Sequence, residues 1–254
     1  MAEQVLHGRT ALITGAGAGI GRACAVALAR AGATVVVTDA DADAADSTAH
    51  TLRSEGARAT ALRADVTRPD EVAEAVEYTV REFGRLDCAV NNAGVTSAPA
   101  DTADIARTDL ERILAVNVTG LWQCMQHELK SMVETGGGTI VNQSSSLGMV
   151  GVRGSAAYAA SKHAVLGLTR STALEYIERG IRVNAVCAGP VRTAMFDRFL
   201  GDDPEAAAGL RAASPIGRFA EPEEVAEAVL WLSSPLSSYV VGHGLVVDGG
   251  WSTQ

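Results

Sequence analysis

A doubly wound parallel sheet of about seven strands, with helices on both faces, is the fold predicted by the 254-residue sequence. Three observations predict it. Short β-branched runs alternate with Ala-rich stretches of helical period, a glycine cluster follows the first run, and no repeat, linker or low-complexity tract divides the chain. Residues 1–254 are therefore expected to form a single α/β domain.

The elements follow in order. Residues 9–14 (RTALIT) read as the first strand; 19–32 read as a helix, with Ile20, Cys24 and Leu28 on one face and Gly32 as its stop. The run ATVVVT at 33–38 is continuously apolar, the mark of a strand buried on both faces of a parallel sheet. A helix over about 41–55, a strand near 57–64 and a helix near 69–83 come next; Pro69, Asp70 and Glu71 give the last an N-terminal proline and an acidic first turn. The fourth strand spans 86–91, two helices cross 103–134, a fifth strand opens at 139–142 and a long helix covers about 156–179. Gly180 ends that helix before a sixth strand at 181–187. A helix begins at Glu221-Pro222-Glu223-Glu224 and runs to about Leu232, and 245–247 is the last strand. Residues 194–216 are too long for an ordinary connection between strand and helix, and read as a substrate lid or as a solvated excursion.

Composition removes several functions. A formal charge of -9 and a pI near 5.0 argue against nucleic acid and against anionic lipid as partners. No apolar run is long enough for a membrane span and the first residues carry no apolar export signal, so a cytoplasmic location without membrane contact is expected. Cys24, Cys88, Cys124 and Cys187 form no C-x-x-C pair and read as small buried hydrophobes in a reducing compartment. The five histidines lie apart, no metal-ligand spacing appears, and there is no G-x-S-x-G elbow.

The glycine cluster carries the first functional reading. Thr14-Gly15-Ala16-Gly17-Ala18-Gly19-Ile20-Gly21 follows a strand and opens a helix, so its N–H groups and the helix dipole can meet a pyrophosphate. Such turns also serve simply to pack helix on strand. Asp39 ends the second strand, where a carboxylate binds both ribose hydroxyls of an adenosine and repels a 2′-phosphate. With Ala18 leaving no basic side chain in the turn, NAD is expected over NADP; the plainer reading of Asp39 is a helix-capping residue.

Lysine occurs only at 130 and 162, among 21 Lys plus Arg. Tyr158 and Lys162 stand i and i+4 on one helix face. An ammonium there favours the phenolate and is expected to bring Tyr158 down from its usual ~10 toward neutrality, where it serves as general acid and base. By itself such a pair is more often a solvated helix face. Three further segments stand at carboxyl ends of strands, the edge where open α/β sheets bind ligands: Asn91-Asn92-Ala93-Gly94, Asn142-Gln143-Ser144-Ser145-Ser146 and Gly189-Pro190-Val191-Arg192-Thr193.

In this order and spacing the four motifs resemble the short-chain dehydrogenase/reductase family over essentially the whole chain, with Ser145 standing 13 residues before Tyr158. The resemblance implies a Rossmann-like fold and an NAD-dependent oxidoreductase that interconverts a secondary alcohol and a ketone. It implies that Tyr158 exchanges a proton with the substrate oxygen, Ser145 holds that oxygen, Lys162 tunes Tyr158 and reaches the nicotinamide ribose, and Asn117 holds a water linking Lys162 to solvent. It further implies that Gly15, Ala18, Gly19, Ile20 and Gly21 line the pyrophosphate and Asp65 and Val66 the adenine. Asn92, Gly94, Tyr158 and Lys162 would then lie along the cofactor, and Val191 and Thr193 at its carboxamide. Departures from the family pattern are Ala188 where a proline is usual, Pro190 after the glycine, and polar Gln143 and Ser146 beside Ser145.

Leu147, Met149, Val150, Val152, Met195, Phe196 and Phe199 are expected to line the substrate pocket, although Met and Phe there are equally core residues. Their apolar character suggests an uncharged, possibly cyclic alcohol or ketone. The resemblance also implies a homotetramer. Two other readings stay open: a 3-oxoacyl thioester reductase, usually a user of NADP, and a catalytically silent NAD-binding regulatory protein.

Overall fold

Seven β-branched or apolar runs become strands, all parallel: β1 (Thr10–Thr14), β2 (Thr34–Asp39), β3 (Ala59–Arg63), β4 (Cys88–Asn91), β5 (Gly138–Ser145), β6 (Ile181–Ala188) and β7 (Gly244–Val247). Their order is β3-β2-β1-β4-β5-β6-β7. The chain winds outward from β1 in one direction and then restarts at β4 in the other, which opens a crevice at the carboxyl ends of β1 and β4. The computed structural model describes residues 4–201 and 204–253; Met1–Glu3, Asp202–Asp203 and Gln254 lie outside the described residues.

The helices are α1 (Gly19–Arg30), α2 (Ala42–Ser54), α3 (Pro69–Phe83), α4 (Arg107–Leu114), α5 (Leu121–Thr135), α6 (Ala156–Tyr176), α7 (Ala194–Leu200), α8 (Pro204–Ala212) and α9 (Pro222–Ser233). Alternation along each strand divides the core in two. Ile13, Val35, Val37, Val90 and Val141 pack with Leu28, Leu52, Val229 and Leu232 of α1, α2 and α9. Leu12, Val36, Ala89 and Ile140 pack on the other face with Val76, Met125, Leu129, Met132 and Val165 of α3, α5 and α6. Each fully buried aliphatic contributes roughly 1.5–3 kcal/mol, so the two apolar layers hold the sheet while all four cysteines stay free and buried. No helix among the described residues is long and apolar enough to cross a membrane.

The amino edge is closed by charge. Asp87, 3% exposed, meets Arg9 Nη1 and Arg85 Nε at 2.7 Å each and accepts the Thr10 N–H at 2.9 Å.

Two segments differ from expectation. Within residues 194–216 two helices replace the expected open loop: Thr193 Oγ1 accepts the Phe196 N–H at 3.2 Å and starts α7 at 194–200, and α8 follows at 204–212. Asp202 and Asp203, within the expected lid, lie outside the described residues. Between α4 and α5 the helix does not break. It passes through a π turn, Ala115–Gly120, whose wider bore turns Asn117 into the protein.

Candidate active site

The residues singled out in the sequence gather at the carboxyl edge, most of them at or after the ends of β1 to β6, with Tyr158 and Lys162 on α6 and Asn117 in the π turn. In the glycine turn, Gly15 (φ +62) and Gly19 (φ +53) take the left-handed conformation that a side chain disfavours. A Cβ at Gly21 would collide with the Gly15 carbonyl oxygen. Helix α1 begins at Ala18 with no side-chain cap and no acid in its first turn. Helix α2 shows the contrast, because Asp41 accepts the Asp43 and Ala44 N–H groups. The N–H groups that open α1 are thus left to an anionic ligand, and the turn fits a dinucleotide pyrophosphate.

Asp39 is held in place. Its Oδ2 accepts the Gly17 N–H at 2.9 Å and its Oδ1 the Asp41 N–H at 3.0 Å. It therefore ties the glycine turn to the start of α2, while the capping role belongs to Asp41.

Asn92 works as a clamp. Its Nδ2 donates to the Thr14 and Gly15 carbonyls at 3.0 and 2.9 Å, and Thr14 Oγ1 accepts the Asn92 and Ala93 N–H groups at 3.1 Å each. Its amide nitrogen thus faces the turn. Thr193, across the crevice, stands where a Cβ on Gly19 would come within 3.2 Å of it. Val191 bridges to Ala220, and Gly189 abuts Asp248 so closely that a Cβ there would fall 2.7 Å from the Asp248 Cα. Those contacts fix the 189–193 loop without the proline that position 188 lacks. Asp65 Oδ1 accepts from Thr67 N and Oγ1, and Val66 is buried against Gly120.

Helix α6 brings Tyr158 and Lys162 beneath the β5 loop. Lys162 Nζ donates to the Gln143 carbonyl at 2.8 Å, and the Lys162 carbonyl accepts from Ser144 Oγ at 3.0 Å. The ammonium lies 5.5 Å from the centroid of the Tyr158 ring. Ser145 Oγ donates to the Ala188 carbonyl at 3.3 Å and accepts the Leu147 N–H at 3.2 Å. Ser146, by contrast, is buried with its Oγ unpartnered. Asn117 Oδ1 accepts the Val95 N–H, and its Nδ2 donates to the Val95 carbonyl and to Ser161 Oγ. That pairing sets the loop carrying Gly94 against Lys162: a Cβ at Gly94 would lie 3.4 Å from Asn117 Oδ1 and 3.5 Å from Lys162 Nζ.

The expected lowering of Tyr158 is not found. Burial pushes its phenol up to about 12, against the pull of a hydrogen bond with Ser145. Burial also pushes Lys162 down to about 8, with the Cys187 thiol opposing. Spacing on a helix puts the two side chains on one face, but the ammonium turns to the Gln143 carbonyl rather than to the phenol.

Leu147, Val152, Met195, Phe196 and Phe199 are half-buried, whereas Met149 is 45% exposed. Phe196 stacks edge-to-face on Phe219 at 4.8 Å, so it also fastens α7 to the body. Sequence reading passes over one buried acid, Glu128 of α5. It falls on the stripe Leu121, Cys124, Met125, Leu129 and Met132, and that periodicity is the signal for its burial.

Comparison with known proteins agrees with this geometry. Residues 15–252 match the family described as enoyl-(acyl carrier protein) reductase. The chain is 40% identical over 248 residues to 2,5-dichloro-2,5-cyclohexadiene-1,4-diol dehydrogenase of Sphingobium indicum, covering 97% of this chain and 98% of that protein. A short-chain type dehydrogenase/reductase from Mycobacterium marinum matches in structure with a TM-score of 0.93 at 36% identity, over 98% of this chain and 97% of the other. A protein from Beutenbergia cavernae, described as an NAD(P) dependent gluconate 5-dehydrogenase with NADP bound at low occupancy, matches at 0.93 and 40% identity over 100% of both chains.

Proposed function

Because the chain belongs to the short-chain dehydrogenase/reductase family, we propose that Tyr158, Ser145 and Lys162 interconvert a secondary alcohol and a ketone at the carboxyl edge of the sheet. The chain is an oxidoreductase of CH–OH groups and works with a nicotinamide dinucleotide. The regulatory reading falls away, since the relatives are dehydrogenases. The observation that carries the proposal is the convergence of Tyr158, Ser145 and Lys162 beside an uncapped helix α1.

Held at the glycine turn and along Asn92 and Gly94, a nicotinamide dinucleotide would supply the hydride acceptor or donor. Tyr158 moves the proton: as a phenol held protonated by burial, it donates to a ketone oxygen, and it takes the proton back when an alcohol is oxidised. Ser145 directs its hydroxyl to the substrate oxygen, where charge develops in the transition state. Lys162 places a positive charge near the phenol and steadies it as it ionises. Asn117 positions the Gly94 loop against Lys162, and any water it holds extends the proton path to solvent.

NAD is the finer reading of the cofactor. It is supported by the Asp39 carboxylate, anchored beside the glycine turn, and by Ala18, which offers nothing to a 2′-phosphate. Val191 and Thr193 would meet the carboxamide, and Asp65 and Val66 the adenine. The apolar set Leu147, Met149, Val152, Met195 and Phe196 supports an uncharged cyclic substrate, in line with the cyclic diol named for the Sphingobium relative. A homotetramer is supported by exposed apolar side chains on α4 to α6 (Leu110, Leu114, Trp122, Leu174) and near the carboxyl terminus (Trp231, Leu236, Tyr239).

The test is a nicotinamide absorbance assay with NAD and NADP separately, against cyclohexanol, cyclic diols and 3-oxoacyl thioesters. Turnover with NAD and a cyclic alcohol is expected, and Tyr158→Phe should lower it about 10²–10⁴-fold while NADH fluorescence still reports binding. Undiminished turnover in Tyr158→Phe would overturn the assignment, and preference for NADP with thioesters would move it to the reductase.

A further inference from the structure

Glu128 sits in the middle of α5 at 1% exposure. No cation reaches it among the described residues. From β4, Asn91 Nδ2 donates to Glu128 Oε2 at 3.0 Å. On its own helix, the Cys124 thiol is the one titratable group against it. Across a cavity of about 10 Å³ stand the Thr14 and Thr38 hydroxyls of β1 and β2, with Val72, Ala75 and Val76 of α3 closing the side. With nothing positive nearby, burial raises the Glu128 carboxyl to about 7, opposed by the Asn91 bond.

The same Asn91 Nδ2 donates to Asn142 Oδ1 at 3.1 Å, and Asn142 Nδ2 donates to Thr169 Oγ1 of α6 at 3.0 Å. Asn91 and Asn142 are cross-strand partners at the carboxyl ends of β4 and β5. Each is followed directly by a residue of the site. After Asn142 comes Gln143, whose carbonyl receives Lys162; after Asn91 comes Asn92, which clamps the glycine turn. Asn91 Oδ1 is buried with no donor in the protein, so the network lacks a proton of the kind a neutral Glu128 carboxyl carries.

We propose that Glu128 is a positioning residue that serves as a neutral acid, anchoring Asn91 and Asn142 and through them the strand ends that hold Lys162 and the glycine turn. It touches neither substrate nor cofactor. Its effect on turnover rests on the role given to Lys162 above; its protonation does not.

Linkage gives the sign of the pH effect. The folded carboxyl is raised above the ~4.3 of an unfolded Glu, so the native state holds the extra proton in between. Its contribution is complete below the unfolded value, declines as pH rises through the folded value near 7, and then levels. Glu128→Gln, permanently neutral, lacks this decline.

Three readouts on the full chain test the proposal. Infrared difference spectra should show a protonated-carboxyl stretch that is lost with a midpoint near 7 and is missing from Glu128→Gln. The melting temperature of Glu128→Gln should gain on the natural protein by several degrees between pH 5 and pH 7.5. With NAD and the best alcohol from the assay above, Glu128→Gln should keep kcat and KM for NAD within about threefold, and Glu128→Ala should lose about tenfold or more in kcat and raise KM for NAD as the glycine turn loosens. An ionised carboxylate at pH 5 overturns the neutral acid whatever the activity. A protonated band with unimpaired Glu128→Ala overturns the positioning role. Absence of turnover in the natural protein on every alcohol strikes the proposed function instead, and leaves the infrared and melting data to decide on Glu128.

Discussion

At the amino edge of the sheet, Asp87 is answered on every side, by two guanidinium groups at 2.7 Å and by a backbone N–H. At the carboxyl edge, α1 starts without a cap, the Ser146 and Ser155 hydroxyls and Asn91 Oδ1 are buried without partners, and Glu128 has no cation. Both edges bury polar groups and both leave some without a hydrogen-bond partner, Arg85 Nε beside Asp87 included; they differ in that the buried carboxylate of the amino edge meets two guanidinium groups, whereas Glu128 meets no cation. A completed group stabilises the fold and is inert, whereas an incomplete one costs stability and is available to a ligand or a proton.

The sharpest way to break the comparison is at Asp87. Asp87→Ala leaves the buried Thr10 N–H without its acceptor and two half-exposed arginines unpaired, and should cost about 1–3 kcal/mol in equilibrium unfolding while the activity of each folded molecule is retained. A comparable loss of activity per folded molecule would mean the edges are coupled. The converse change is Ser145→Ala, expected to lower kcat by about 10²–10³-fold and to move stability by less than about 1 kcal/mol. A large fall in stability with little change in kcat would place Ser145 with the structural group. Smallest of all, Arg107→Ala removes an exposed i,i+4 pair on α4 and should cost only about 0.3–0.5 kcal/mol, read by urea denaturation. A clear loss of activity there would enlarge the functional region beyond the strand ends.

The strands and the glycine turn were legible in the sequence because their causes are local. A run such as Val35-Val36-Val37 has no exposed place to go, and Gly15 and Gly19 mark backbone turns that other residues resist. What escaped depends on distant partners. The lid helices had their signals in Thr193 and Pro204, but the length of the connection masked them. The π turn leaves no compositional mark at Ala115–Gly120. Spacing put Tyr158 and Lys162 on one face, yet only the folded β5 supplies the Gln143 carbonyl that draws the ammonium aside. Asn92 was readable as a residue beside the cofactor, and not as the clamp on a turn 78 positions earlier. Glu128 was passed over although it falls on the apolar stripe of its helix, because its partner Asn91 comes from a distant strand.

That clamp has a consequence for the order of events during synthesis. The glycine turn leaves the ribosome early, joined to β1, and β1 can pair with β2 once both are made. Its carbonyls meet the Asn92 amide only after β4 has docked beside β1, and Thr193 closes the far wall later still. A chain interrupted before residue 88 would carry the phosphate-binding motif without the framework that shapes it. On the function proposed above, affinity for the dinucleotide would emerge only once the second half of the sheet has docked, and its stabilising effect would fall on molecules in which both halves are in place.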